Sequence, residues 1–302
     1  MTSHRSRPPR VGDSPIVRWS LIGFVLVLTL LVIVAPLAVI AVEAFRDGAS
    51  VYASTIADPD TRHAILLTVT VALIAVPLNT LFGIAAAWAI TKFDFRGRRF
   101  LLVLIEIPFS ISPIVAGVAY LFVYGLQGLF GPWLESAGLK IVFALPGIVM
   151  ASMFVTAPFV ARELIPLMQA QGRDLEEAAT SLGASGWRTF RSVTLPNVRW
   201  ALLYGVVLCN ARVMGEFGAV SVVSGNIRGQ TNTLPLHIEL LYQDYQTAGS
   251  FAAASILALL AVVTLVAKVA LERQGAGRAA RRRHLSGPPA PVLKPASAEM
   301  KP

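Results

Sequence analysis

The sequence predicts an all-α membrane protein with six transmembrane helices and both termini on the cytoplasmic side. Its 302 residues are 55% hydrophobic and only 14% charged, whereas soluble domains contain about 25% charged residues. Six apolar runs each reach the roughly 20 residues that a helix needs to cross a hydrocarbon layer ~30 Å thick. The runs cover residues 21–42, 64–90, 101–126, 141–161, 201–223 and 251–271.

The placement of lysine and arginine predicts the orientation of these helices. Most of the lysine and arginine residues fall before the first run, in the second and fourth connections between runs, and in the C-terminal tail. The positive-inside rule assigns these segments to the cytoplasm. The net charge of +9 is therefore explained by topology, and we expect no nucleic-acid partner. The organisation that follows is a basic tail at 1–20, a membrane domain at 21–272 and a basic, disordered tail at 273–302.

The sequence offers little support for an intramembrane enzyme. It contains no HExxH, GxSxG or paired-aspartate pattern, and its four histidines lack metal-ligand spacing. The single cysteine, Cys209, excludes an internal disulfide. We therefore expect a non-catalytic chain without a metal site.

Residues 174–196, DLEEAATSLGASGWRTFRSVTLP, form a polar segment between two apolar runs, which we call the EAA segment. Asp174 and Glu177 are spaced to cap the start of a helix through their side chains. Apolar residues then recur at the spacing of one helical face. This stripe consists of Leu175, Ala178, Ala179 and Leu182.

The second half of the EAA segment predicts a turn and another helix. Gly183 suits a helix end because glycine tolerates positive φ. Ser185 can cap a second short helix, and Pro196 suits the first turn of the following span. The whole segment is therefore expected to form a helix–turn–helix beneath the membrane.

The EAA segment resembles the EAA loop, EAA-x3-G-x9-I-x-LP, of membrane permeases in bacterial ATP-binding-cassette (ABC) importers. Val193 stands where the pattern has isoleucine. The resemblance implies that this loop grips a separate ATPase, that ATP and magnesium are bound by that partner, and that this chain binds no cofactor. The implied coupling residues are Glu177, Ala178, Ala179, Gly183, Leu195 and Pro196.

A narrower resemblance, to CysW-type permeases of sulfate/thiosulfate importers, covers about residues 20–272. It is carried by AAAWAITKFDFRG at 85–97, IPFSISPIVAG at 107–117, and the stretches 158–172 and 208–239. It implies a type I ABC importer fold, two ATPase subunits, a T-type permease paralogue as heterodimer partner, and a periplasmic sulfate-binding protein. A permease for molybdate or another oxyanion remains an alternative, as does an ATP-independent channel or carrier.

Polar residues within the predicted spans are candidates for an anion path or gate. Arg212 and Glu216 lie four residues apart in the fifth span and are expected to share a helix face. Ionisable residues at that depth cost at least about 2.5 kcal/mol and line a polar cavity or form a pair. Ser110 and Ser112 flank a proline-interrupted stretch of the third span, which is either a pore kink or a packing bend.

The external connections contain one further candidate. Arg228 lies in a glycine-flanked turn, where its guanidinium either meets the anion or is simply solvated. Residues 234–245 are too polar and too short to span, and are expected to form a helix at the membrane interface.

Overall fold

In the computed structural model, which describes residues 15–285, the regular elements are all helical. Two helices contain π turns, at Leu30–Val34 and Phe190–Thr194. The first eight α-helices are α1 (Pro15–Thr29), α2 (Ala35–Ala44), α3 (Ala49–Ala57), α4 (Pro59–Lys92), α5 (Arg98–Ser110), α6 (Pro113–Tyr124), α7 (Gly131–Ser136) and α8 (Leu145–Thr156). The others are α9 (Pro158–Gln171), α10 (Asp174–Ser181), α11 (Gly186–Thr189), α12 (Leu195–Met214), α13 (Gly218–Ser224), α14 (Leu234–Gln243) and α15 (Thr247–Leu285).

Five helical stretches are long and apolar enough to cross a membrane, and one bent pair of helices adds a sixth candidate. The bent pair, α5 and α6, turns by 108° at the proline-interrupted stretch of the predicted third span. The fourth and fifth spans also differ from the predicted runs. The five stretches are Ile16–Ala44, Pro59–Lys92, Leu145–Gln171, Gly186–Met214 and Thr247–Val266.

Proline explains the bend between α5 and α6. Pro113 begins α6, and a residue before proline is pushed out of the helical region into an extended conformation. Ser112 accordingly has ψ 133°, and the preceding Ile111 is also extended with ψ 134°. The prolines predict an interruption at this place, but the apolar run at 101–126 does not give the size of the bend because hydropathy does not register backbone geometry.

The predicted fifth span, 201–223, is wrong in extent. The helix begins fifteen residues earlier, at Gly186, and ends at Met214. Gly215 follows as its C-cap, and residues 218–224 form the separate helix α13. An apolar run alone cannot distinguish one helix from two that are joined by a short break.

The described chain divides into two compact units. The first comprises residues 15–67 and 226–258, and the second comprises 68–225 and 259–285. In the second unit, glycines let helices approach closely. A Cβ on Gly83 in α4 would lie 2.6 Å from Val160 in α9, and one on Gly205 in α12 would lie 3.1 Å from the Cα of that same Val160. The three helices therefore meet around Val160 with almost no space between them.

In the first unit, α14 is buried, which corrects the expectation of an interfacial helix. Leu234 and Leu241 pack with Ala253, so the apolar face of α14 is covered by protein. His237 on the same helix is 3% exposed, and its Nε2 lies 2.9 Å from the Thr61 hydroxyl. Burial lowers the pKa of His237 and favours the neutral imidazole.

The first span is exposed along most of its length, although Ala44 at its end is buried. No residue is buried in the most apolar window of Ile16–Ala44. At the other end, α15 continues to Leu285, so the tail expected to be disordered from 273 is helical up to that residue. The remainder of both predicted tails, residues 1–14 and 286–302, lies outside the described residues.

Candidate functional site

The EAA segment forms two short helices joined by a tight turn, as its sequence predicts. Gly183 has φ +85°, and its amide donates to the carbonyl of Thr180 at 2.9 Å. The amide of Ala184 donates to the carbonyl of Ala179 at 3.0 Å. These bonds close the end of α10 and reverse the chain into α11.

The predicted side-chain caps are absent from both helices. Asp174 is the first residue of α10, Arg173 is its N-cap, and no side chain bonds to the free amides. Ser185 does hold the N-cap position of α11, with extended backbone, but its hydroxyl makes no cap bond. Asp174, Glu177 and Ser185 are all exposed, so water can satisfy these groups instead.

One face of the EAA segment presents apolar side chains to solvent. Leu182 is 89% exposed, Trp187 68% and Leu175 55%. Ala178 is also exposed, whereas Ala179 is half-buried against the chain. A cluster of large exposed apolar groups beside small residues is typical of a surface that a partner covers.

Three side chains outside the predicted set hold α10 in place. Glu176 Oε1 lies 2.8 Å from Lys92 Nζ at the end of α4. The same carboxylate oxygen accepts a hydrogen bond from the Thr194 hydroxyl at 3.1 Å. Sequence reasoning assigned importance to Glu177 and missed Glu176, although the adjacent glutamates are one helical step apart and must point in different directions.

A second contact joins the start of α10 to the residues that follow α4. Both terminal nitrogens of Arg173 donate to the Asp94 carboxylate, at 3.0 and 3.1 Å. The Arg173 guanidinium holds the pKa of Asp94 below its usual value by this hydrogen bonding and by its charge. The pair is exposed, so its contribution to stability is small.

The passage from the EAA segment into α12 is continuous and contains a π turn. The amide of Leu195 donates to the carbonyl of Phe190, five residues back, and Pro196 follows at once. Pro36 follows the other π turn in the same way. A proline lacks the amide that continues an α-helix, and a wider turn before it accommodates the lost bond. Pro196 therefore lies inside a long helix and does not begin the span.

Arg212 and Glu216 are brought together, although they do not share a helix face as expected. Arg212 lies in the last turn of α12, whereas Glu216 lies in the break that follows. Arg212 Nη1 is 2.7 Å from Glu216 Oε2, an ion pair by distance without hydrogen-bond alignment. Glu216 Oε1 accepts a bond from the amide of Ala219 at 3.1 Å, so the buried carboxylate also caps α13.

The break between α5 and α6 lies next to the start of α13. Ser110 and Ser112 both flank this break and are exposed. A Cβ on Gly218 would lie 3.0 Å from the Cβ of Pro113, which places the start of α6 directly against the start of α13. The two helix breaks therefore lie on neighbouring elements of the second unit.

Arg228, the last candidate for the anion path, belongs to the first unit. Its guanidinium contacts the carboxylate of Asp244. That carboxylate balances the charge expected to attract an anion, so the structure gives Arg228 a local partner in the turn that precedes α14.

A family model for binding-protein-dependent transport system inner membrane components matches residues 79–274. The chain belongs to this family. CysW, a sulfate transport system permease protein of Escherichia coli K12, is 56% identical to this inner-membrane component over 84% of the chain and 88% of the relative. CysT, a second sulfate transport system permease protein of that organism, is 34% identical over 81% of the chain and 90% of the relative.

Two solved structures of bacterial alginate ABC transporters share the fold of this inner-membrane component. Their TM-scores are 0.72 and 0.70 at 17% and 18% identity, over 85% of this chain and 96% and 92% of the matched chains. The second was solved with a periplasmic protein bound to an alginate pentasaccharide. The component is a non-catalytic, multi-pass protein of the inner membrane.

Proposed function

We propose that the chain is a permease subunit of an ATP-driven importer that moves sulfate and thiosulfate across the inner membrane. The observation that carries this proposal is the 56% identity to a sulfate permease along 255 residues. That span includes the EAA segment and both helix breaks. No observation on the described residues favours molybdate or another oxyanion over sulfate.

The proposed assembly contains four kinds of protein. Two copies of an ATPase bind the EAA segments, and ATP and magnesium belong to those subunits. A T-type permease is the second membrane subunit, and a periplasmic binding protein delivers the anion. The similarity to both CysW and CysT of one organism supports a pair of different permeases.

In this assembly the exposed apolar face of the EAA segment docks into the ATPase. Leu182 and Trp187 supply apolar contact area, and removing apolar surface from water contributes about 25 cal/mol per Å² before the costs of association are subtracted. Lipid surrounds the exposed first span. Both termini and the EAA segment face the cytoplasm, in agreement with the distribution of lysine and arginine.

The test is uptake of radiolabelled sulfate by proteoliposomes that contain the permease pair, the ATPase and the binding protein. We expect uptake only with ATP, and competition by thiosulfate but not by an equal concentration of molybdate. The control is the same complex with an ATPase variant that binds but does not hydrolyse ATP. Uptake in that control would instead indicate a channel or carrier, and preferential molybdate uptake would indicate another oxyanion permease.

A further inference from the structure

We infer that Lys92, Glu176 and Thr194 form a positioning clamp that carries displacement of α10 into α4 and α12. This inference rests on the proposed function, because it concerns how an ATPase moves the permease. None of the three residues belongs to the EAA pattern itself. Each comes from a different element, and their polar atoms meet at one carboxylate oxygen of Glu176.

The three residues join the end of α4, the first turn of α10 and the π turn that precedes α12. Lys92 is the last residue of α4, and its ammonium contacts Glu176 and also donates to the carbonyl of Gly172, which follows α9. Thr194 ends the π turn that continues directly into α12. A displaced Glu176 therefore pulls on α4 through Lys92 and on α12 through Thr194.

The ion pair between Lys92 and Glu176 is better shielded from water than the neighbouring contact between Arg98 and Asp94. The Lys92 side chain is 8% exposed and that of Glu176 is 18% exposed. By contrast, Asp94 is 74% exposed and lies 3.6 Å from Arg98. Water and salt weaken an exposed ion pair, whereas removing one partner of a shielded pair leaves the other charge uncompensated. Of these contacts, the Lys92–Glu176 pair is therefore the one able to transmit force.

The clamp is needed because α10 is flanked by two flexible residues. Gly172 has φ +67° and Gly183 has φ +85°, backbone conformations that only glycine adopts readily. Backbone continuity alone would therefore let α10 swing between these two glycines. The side chain of Glu176 fixes α10 to α4 and α12, in addition to the exposed contact between Arg173 and Asp94.

Aromatic contacts reinforce the same junction. The ring of Trp88 in α4 lies 4.8 Å from that of Phe190 in the π turn, measured between centroids. Phe190 in turn stacks on Trp187 at 5.5 Å. These contacts tie α4 to the helix that leads into α12, and they keep the polar clamp next to a packed apolar layer.

A double-mutant cycle with Lys92→Gln and Glu176→Gln tests the clamp in the reconstituted complex. The readout is the number of sulfate ions transported per ATP hydrolysed, with co-purification of the ATPase as the measure of assembly. We expect each single variant to lower the ratio about tenfold while the ATPase still co-purifies. The double variant should be no worse than either single variant. The clamp would be overturned if the losses of the two single variants multiplied in the double variant, or if the single variants left the ratio unchanged.

Two further variants separate coupling from general damage. Arg98→Gln removes a cation from the same connection, and we expect it to leave the ratio unchanged. Thr194→Val removes only the hydroxyl that bonds to Glu176, and Thr194→Ser restores it, so the ratio should fall in the first and recover in the second. Equal ratios in these two threonine variants would also argue against the clamp, even if a lysine or glutamate variant failed to assemble.

Failure of the proposed function would be recognised separately. If the unaltered complex hydrolyses ATP but imports no sulfate, the substrate assignment is wrong. The clamp is then judged by how strongly the binding protein stimulates ATP hydrolysis. That stimulation should be lost in Glu176→Gln and retained in Arg98→Gln, and retention in both would overturn the inference.

Discussion

Gly183 controls the angle between the two helices of the EAA segment. Its φ of +85° is strained for any residue with a Cβ, and most strongly for a β-branched one. The space around it is open, since an added Cβ would meet no atom within 4 Å. A substitution there would therefore change the backbone angle without creating a steric clash.

We expect Gly183→Val to lower sulfate uptake about tenfold, because strain of about 1–3 kcal/mol would shift α10 relative to α11. The ATPase should still co-purify and hydrolyse ATP, so the two activities become uncoupled. Gly183→Asn is the matched control, since asparagine tolerates the left-handed conformation. Normal uptake by the valine variant would count against a coupling role for this turn.

At the scale of elements, the junction of α12 and α13 depends on Glu216. This carboxylate is 1% exposed, contacts Arg212 on one side and caps α13 on the other. Arg212 is 35% exposed, so its guanidinium remains accessible while it balances the buried charge. The pair therefore combines a structural contact with a cation that is partly exposed.

We expect Arg212→Ala to reduce uptake and to destabilise the protein by about 2 kcal/mol, because it leaves a buried carboxylate without its cation. Adding Glu216→Gln removes that charge and retains an acceptor for the Ala219 amide. Thermal unfolding in detergent should then recover towards the unaltered protein while uptake stays low. Recovery of both would make the pair purely structural.

The elements also show what the sequence could predict. Apolar length located the spans but not the ends of the fourth and fifth, and the EAA pattern located both short helices and the turn at Gly183. The clamp was not predictable, because Lys92 and Glu176 are 84 residues apart and nothing local indicates that they meet. The break after Met214 was concealed because residues 218–224 are as apolar as the helix before them.

At the scale of the whole molecule, the topology depends on whether α5 and α6 together cross the membrane. The 108° bend is compatible with a broken span or with a loop that enters and leaves on one side. Six crossings place all the segments rich in lysine and arginine on one side, as the positive-inside rule requires. A loop that returned to its own side would put the EAA segment and the connection at 93–97 on opposite faces, whereas Arg173 and Asp94 at the ends of these segments are 3.0 Å apart.

We therefore expect Glu135→Cys, after α6, to react with a membrane-impermeant maleimide added to intact cells. Arg96→Cys, before α5, should react only after permeabilisation, and serves as the control. The native Cys209 is buried, so its background labelling should be low. Protection of position 135 in intact cells would favour the returning loop.

The first span has a consequence for biosynthesis. Since the interior of the chain buries none of its most apolar window, this helix can leave the translocon and settle among acyl chains while later segments are still being translated. Its membrane insertion does not require prior packing against another helix of this chain. Exchanging aliphatic residues within that window therefore removes no buried contact of this chain, as long as the stretch remains apolar and long enough.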